Sequence, residues 1–159
     1  MKNILLFRSA KHTIIKSCIK SINAYNNDCI IWLCVQEQCK DIYKEYNNIQ
    51  FIIFPNGMYS YEKTIENQEI CNKLKDVVFD DIYIPCNSLA SNYDEVENII
   101  FKIVNKKIAI YYDAEGKIHK KKICSKTINT TKLFKNICEF VDYTVMKIIY
   151  FCIIRIKNG

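Results

Sequence analysis

Short apolar runs alternate with amphipathic or polar segments through the first 116 residues. The runs are short, bounded by polar residues and rich in Ile, as expected for strands that are buried on both faces. Strands are therefore predicted at 3–7, 29–35, 49–54, 81–85 and 107–112. Helices are predicted between them, at 13–23, 37–46, about 64–74 and 94–105. In the first helix Ile14, Cys18 and Ile22 recur at the helical spacing, and Ser9 or Thr13 is expected to cap it.

This order of strands and helices predicts an α/β fold. Alternating buried strands and helices form a parallel sheet covered on both faces, and right-handed crossovers wind it in two directions. We expect a three-layer doubly wound sheet of Rossmann-like or flavodoxin-like type, with about five parallel strands in the order 3-2-1-4-5. A turn at 113–116 suggests that 117–123 returns as a hairpin strand. The expected domain is 1–123, followed by a basic amphipathic tail at 124–159.

The tail is where the positive charge lies. Residues 1–116 carry 13 Lys and Arg against 15 Asp and Glu, whereas residues 117–159 carry 10 against 2. A near-neutral body with a basic, apolar end indicates docking to an anionic membrane or to a partner. Nucleic acid is disfavoured as the partner because Arg8 and Arg155 are the only arginines and no nucleic-acid-binding motif is present.

Residues 131–156 have the pattern of one long amphipathic helix. Its densest apolar stretch is 145–154, which contains Lys147. The longer stretch 140–154 also includes Asp142 and is still shorter than the roughly 20 residues that span a bilayer, so a spanning helix is disfavoured. Three interpretations stay open: the last helix of the α/β core, a helix lying on a membrane, or a dimer or partner interface, and the first two are compatible. The residues expected to contact a membrane or partner are Lys132, Lys135, Lys147, Ile148, Phe151 and Arg155.

The sequence predicts a cytoplasmic protein, peripheral at the inner face of the cell membrane. The first apolar run, 4–7, is too short for a secretory signal, which needs roughly 7–15 apolar residues. Nine cysteines in such a chain are expected to be reduced. Those set among apolar residues, such as Cys18, Cys29 and Cys71, are expected to pack as small core side chains.

Polar residues follow the carboxyl ends of the predicted strands, where open parallel sheets bind their ligands. The candidate ligand-binding residues are Arg8, Ser9, His12, Asn56, Asn87, Ser88 and Asp113. Arg8 and His12 are the sharpest, since with a helix N-terminus they suit a phosphate or carboxylate. The plainer interpretations are that His12 is a solvated loop residue and that Asn87 and Ser88 cap the next turn.

Several chemistries are disfavoured. The loop after the first strand has no glycine, and neither dinucleotide-binding nor P-loop spacing occurs. No Cys-x-x-Cys pair exists, and His12 and His119 are the only histidines, so neither a metal nor a cofactor is expected. Cys86 follows a strand, where an idle buried thiol is the expected role.

Two segments resemble the N-terminal Rossmann-like half of GT-B glycosyltransferases of the kind that build bacterial surface polysaccharides. They are the opening strand, polar loop and helix (3–23), and the strand at 80–88 that ends in Pro85 before a polar loop and the helix begun by Tyr93. The resemblance implies an acceptor-binding role for roughly residues 1–116. The loop 8–12 departs from it, because a glycine-containing turn is expected there. The nucleotide-sugar-binding second half of such enzymes has no counterpart in the sequence.

The sequence therefore suggests a membrane-peripheral, glycosyltransferase-like accessory or split subunit for envelope polysaccharide synthesis, not catalytic by itself. Its partners would be a transferase subunit or a lipid-linked acceptor. The alternative is a non-enzymatic α/β interaction module that homodimerises through its C-terminal helix. A small complete enzyme using His12 or Cys86 is the third hypothesis.

Overall fold

The computed structural model describes residues 1–124. The predicted tail helix and its six contact residues lie outside the described residues. The strands are β1 (Lys2–Phe7), β2 (Cys29–Gln36), β3 (Ile49–Phe54), β4 (Asp81–Pro85), β5 (Ile108–Tyr112) and β6 (Ile118–Lys122). The helices are α1 (His12–Tyr25), α2 (Tyr61–Glu66), α3 (Gln68–Asp76) and α4 (Asp94–Lys102), with a 3-10 helix at Glu37–Tyr43.

The strands form one sheet in the order β3-β2-β1-β4-β5-β6. The first five are parallel, and β6 returns antiparallel to β5. Leu5 at the centre of β1 pairs with Trp32 of β2 on one side and with Ile82 of β4 on the other. The chain thus reverses direction across the sheet between β1 and β4. The predicted α/β class, the order 3-2-1-4-5 and the hairpin return are confirmed, and the fold is a Rossmann-like doubly wound sheet.

Two apolar cores lie on opposite faces of this sheet. Ile15, Cys18, Ile19 and Ile22 of α1 pack with Tyr43 of the 3-10 helix against Leu6 and Leu33. On the other face, residues of α3 and α4 pack against Leu5, Phe7 and Ile84. Each fully buried Leu, Ile or Phe contributes about 1.5–3 kcal/mol relative to exposure. Successive β1 residues are buried on alternate faces, which explains why its sequence is a continuous apolar run.

The segment expected as one helix near 64–74 is two helices separated by Asn67. The Asn67 side-chain oxygen accepts a hydrogen bond from the Ile70 amide and caps α3, while Ser60 caps α2 by accepting from the Lys63 amide. Asparagine and serine favour such caps because their short side chains reach the free amides of a first helical turn.

The expected cap of α1 is wrong. Lys11 precedes the helix, and no side chain caps it. Ser9 instead donates from its hydroxyl to the carbonyl of Pro85, at 2.6 Å. The acceptor of this hydroxyl lies 76 positions away in the sequence, so the local spacing of residues does not reveal the hydrogen bond.

Among residues 1–124, no helix has the length and apolar character that crossing a bilayer requires.

Candidate functional site at the carboxyl edge of the sheet

Arg8 links the loops that follow β1, β2 and β3. Its guanidinium donates two hydrogen bonds to the side-chain oxygen of Gln36, from Nε at 2.9 Å and from the terminal nitrogen at 2.6 Å. The Gln36 amide nitrogen then donates to the carbonyl of Gly57, at 3.1 Å. Gly57 adopts φ +106°, a backbone conformation that glycine takes without steric cost. Gln36 is therefore a buried bridge rather than a free ligand group.

Tyr59, in the loop after β3, connects that loop to β2 and to the end of β1. Its hydroxyl donates to the Cys34 carbonyl at 2.7 Å and accepts from the Arg8 amide at 3.1 Å. Its ring makes edge contacts with Phe7 and Phe54. Burial holds the pKa of Tyr59 well above its ordinary value, so the hydroxyl keeps its proton and its donor role.

The crevice between β1 and β4 is bridged by hydrogen bonds. In a doubly wound sheet this reversal point is where ligands ordinarily enter. Here the Ser9 hydroxyl is bonded to the Pro85 carbonyl, and the Asn87 side-chain oxygen accepts from the Lys11 amide at 3.1 Å. Two of the candidate ligand-binding residues thus hold one loop to the other.

His12 lies beside Arg8 at the start of α1. Its Nδ1 is 2.9 Å from the hydroxyl of Tyr43, a fully buried side chain. Burial, followed by the positive charges of Arg8 and Lys16, lowers the pKa of His12. Burial raises the pKa of Tyr43 to about 12. The pair is therefore a neutral imidazole and a protonated phenol near pH 7, so His12 has a buried partner and is not simply solvated.

The remaining candidates do not join this cluster. Asn56 is exposed and lines a small depression. Ser88 accepts from the Ala90 amide within its own loop, as the capping interpretation predicted. Asp113 organises the β5–β6 turn by accepting from the Glu115 and Lys117 amides and contacting His119. The hydrogen bond from His119 is the main cause of the lowered pKa of Asp113.

The charge of Arg8 has no acidic partner. Within residues 1–124 no carboxylate forms an ion pair with it, and its side-chain partner, Gln36, is neutral. An uncompensated, half-buried guanidinium attracts anions, and its planar fork suits phosphate and carboxylate oxygens. Arg8 and His12 are the two candidates that the structure brings together, and the positive charge of this site is that of Arg8 because His12 is neutral near pH 7.

The depression next to this edge is small. It is lined by Phe54, Pro55, Asn56, Met58, Ser60, Lys63 and Thr64, and its volume is about 10 Å³. A volume of that size holds roughly one water molecule. This depression by itself is therefore too small for a nucleotide or a sugar. A wider depression of about 660 Å³ lies beside it and is open to solvent, lined by Pro55, Lys63, Glu66, Asn67 and Gln68.

A second polar cluster, on α4, escaped the sequence reasoning. Glu97 is only 4 % exposed, and its carboxylate accepts hydrogen bonds from the Tyr111 hydroxyl and, at 2.7 Å, from Lys121. The Lys121 ammonium also lies 5.1 Å from the centre of the Tyr111 ring. The buried carboxylate is thus paired, and the cluster joins α4 to the β5–β6 hairpin. The helical pattern shows Glu97 between apolar positions, but it does not show which strand residue meets it.

Metal-ligating side chains are not clustered in the described part of the chain. No group of three or more His, Cys, Asp and Glu side chains in residues 1–124 is placed to hold a metal ion. Cys86 is buried, and desolvation raises the pKa of its thiol, which disfavours the reactive thiolate.

Comparison with known proteins adds little to this geometry. No protein-family model matches the sequence. No curated protein matches it either. A similar solved structure is a short-chain dehydrogenase/reductase from Saccharomyces cerevisiae, with 13 % identity and a TM-score of 0.37. The match covers 60 % of this chain and 38 % of the dehydrogenase, so it spans well under half of that protein's length. The class of the protein is therefore set by its own topology: a Rossmann-like α/β domain.

Proposed function

We propose that this protein is a non-catalytic, glycosyltransferase-like accessory module that works with a transferase partner in envelope polysaccharide synthesis. One observation carries the proposal: the polar groups at the carboxyl edge are used to hold the loops together. Ser9, Gln36, Tyr59 and Asn87 each bond to the backbone of another loop or strand. An enzyme of this fold needs such groups to face its substrate. The glycosyltransferase assignment itself is supported by the sequence resemblance.

Arg8 supplies the ligand contact of the proposed module. Its guanidinium forms no ion pair with a carboxylate of residues 1–124, and His12 beside it can donate a further hydrogen bond if its free nitrogen carries the proton. The chemistry suits the phosphate of a lipid-linked acceptor. In this proposal the module presents such an acceptor at the inner membrane face, and the partner subunit supplies the nucleotide-sugar and the transfer chemistry.

Calorimetric titration of the full-length protein with farnesyl phosphate, a short prenyl phosphate, tests the ligand. Saturable binding is expected, and Arg8→Met is expected to weaken it at least about tenfold, since charged hydrogen bonds contribute about 1.5–3 kcal/mol each. Arg8→Lys, which keeps the charge but loses the fork, is expected to lie between them. Lys20→Met is the matched control, because Lys20 is exposed farther along α1. Equal affinity in Arg8→Met, with its fold confirmed by circular dichroism, contradicts the assignment.

A further inference from the structure

Unpaired lysines cluster on the β5–β6 hairpin. Residues 102–122 hold seven lysines and two acidic residues, whereas residues 1–101 carry more acidic than basic side chains. Lys117 and Lys121 form ion pairs with Glu115 and Glu97. The others on or next to the hairpin form no ion pair within the described residues: Lys106, Lys107, Lys120 and Lys122.

Two of these lysines share one face of the sheet with exposed isoleucines. Residues opposite each other in a ladder lie on the same face. Lys122 is opposite Ile108, and Ile118 is opposite Tyr112, with Lys120 between them on the same strand face. Ile108 is 60 % exposed and Ile118 is 45 % exposed. This hairpin face, defined as Ile108, Ile118, Lys120 and Lys122, therefore presents two positive charges beside two apolar side chains.

We infer that the hairpin face is a second membrane contact, which binds an anionic lipid bilayer and orients the folded domain on it. The inference rests on the proposed function, in which the protein is membrane-peripheral. Lysine ammonium groups bind anionic headgroups as point charges, and neighbouring apolar side chains enter the headgroup region. The patch is also continuous in sequence with the basic chain after Cys124, which carries Lys126 and Lys132.

A bilayer fits this face better than other anionic partners. The exposed charges are all lysines, which do not make the bidentate contacts by which arginine reads nucleic acid. The face lies on the edge strand of the sheet with both lysines exposed, and the two depressions described above are lined by residues 54–68 rather than by this hairpin. A planar anionic surface places Lys120, Lys122 and both isoleucines in contact at once.

Vesicle flotation of the full-length protein tests the inference. The variant is Lys120→Gln/Lys122→Gln, and the matched control is Lys20→Gln/Lys75→Gln, which removes the same charge from exposed, unpaired lysines on α1 and α3. The vesicles contain phosphatidylcholine alone or with phosphatidylglycerol, at low and high salt. With anionic vesicles at low salt, the hairpin variant is expected to bind about 30-fold more weakly than the wild type, and the control at most a few-fold more weakly.

The outcomes separate this inference from the proposed function. If the wild type floats and both double variants float equally well, the hairpin face is not a membrane contact, while membrane attachment through the tail stands. If the wild type does not float with anionic vesicles, membrane attachment fails and this inference fails with it. Amide hydrogen exchange gives a second readout: anionic vesicles are expected to slow exchange in β6 of the wild type. Unchanged exchange in β6 contradicts the inference.

Discussion

Tyr59→Phe removes one hydroxyl from the carboxyl edge and tests whether its polar groups stabilise the fold. The ring keeps its edge contacts with Phe7 and Phe54, so packing is preserved. Two hydrogen bonds of the hydroxyl are lost, one to the Cys34 carbonyl and one from the Arg8 amide. The Arg8 amide still donates to the Cys34 carbonyl at 3.0 Å, so neither backbone group is left without a partner.

The expected cost follows from that geometry. A buried hydrogen bond contributes about 0.5–1.5 kcal/mol net, and leaving a buried group unsatisfied costs about 1–3 kcal/mol. Because both partners of Tyr59 keep each other, we expect the free energy of unfolding to fall by about 1–1.5 kcal/mol. Tyr59→Ala, which also removes the ring, is expected to cost about 3–5 kcal/mol, as other large-to-small aromatic changes do.

Urea unfolding of the full-length protein, followed by circular dichroism, measures this difference. With a slope near 2 kcal/mol per molar urea, the midpoint of Tyr59→Phe is expected to fall by about 0.5–0.75 M. Tyr25→Phe is the control, because Tyr25 is 79 % exposed, and its midpoint is expected to stay unchanged. A Tyr59→Phe midpoint equal to that of the wild type refutes the structural role given to these groups.

Three further predictions follow from other described contacts. In chemical denaturation, Lys121→Met is expected to destabilise the fold by about 1–2 kcal/mol, because buried Glu97 loses a charged partner that is itself half-exposed. Adding Glu97→Gln is expected to restore part of the lost free energy of unfolding, since no buried charge is then left unpaired. Alkylation mapped by mass spectrometry is expected to label exposed Cys124 far faster than Cys34, whose burial raises its pKa; equal rates contradict the buried core. The pKa of His12 is lowered in the folded state, so the unfolded chain takes up its proton first and the free energy of unfolding falls as pH drops below about 6.5. In thermal melts between pH 7.5 and 5.5, His12→Gln is expected to lose less stability than the wild type, and equal losses contradict the role of His12.

The strand order was predictable because each strand is a short run whose burial the sequence reports directly. Successive residues of β1 enter opposite cores, so both its odd and even positions must be apolar. The antiparallel β6 was also predictable, since the turn before it contains Gly116, which adopts φ +82°. These features depend on neighbours a few residues away, which is the range over which sequence patterns are informative.

Helix bounds were less predictable where caps decide them. Asn67 ends one helix and begins the next, but its neighbours keep helical spacing on both sides, so the pattern predicts a single helix. Similarly α4 ends at Lys102 rather than at 105, and the 3-10 helix ends at Tyr43 rather than at 46. Positive φ at Asn105 marks where the chain turns away after α4.

The site was predicted as a location but not as a set of interactions. Arg8 and His12 were identified because they follow a strand, and the structure does bring them together. Their partners, Gln36 and Tyr43, are 28 and 31 positions away, so no local pattern joins them. Ser9 was expected to cap a helix or bind a ligand, yet it bonds a strand that folds beside it only in the assembled sheet.

Hydrogen bonds from Ser9 to Pro85 and from Lys11 to Asn87 bridge the crevice between β1 and β4, so we expect no nucleotide to bind there. Calorimetric titration of the full-length protein with NAD⁺ and with UDP-glucose measures this. No saturable heat is expected with either ligand at concentrations up to about 1 mM, the weak end of specific binding. Saturable binding of either nucleotide, weakened by Asn87→Ala at the crevice and unaffected by Asn72→Ala on the exposed side of α3, contradicts it.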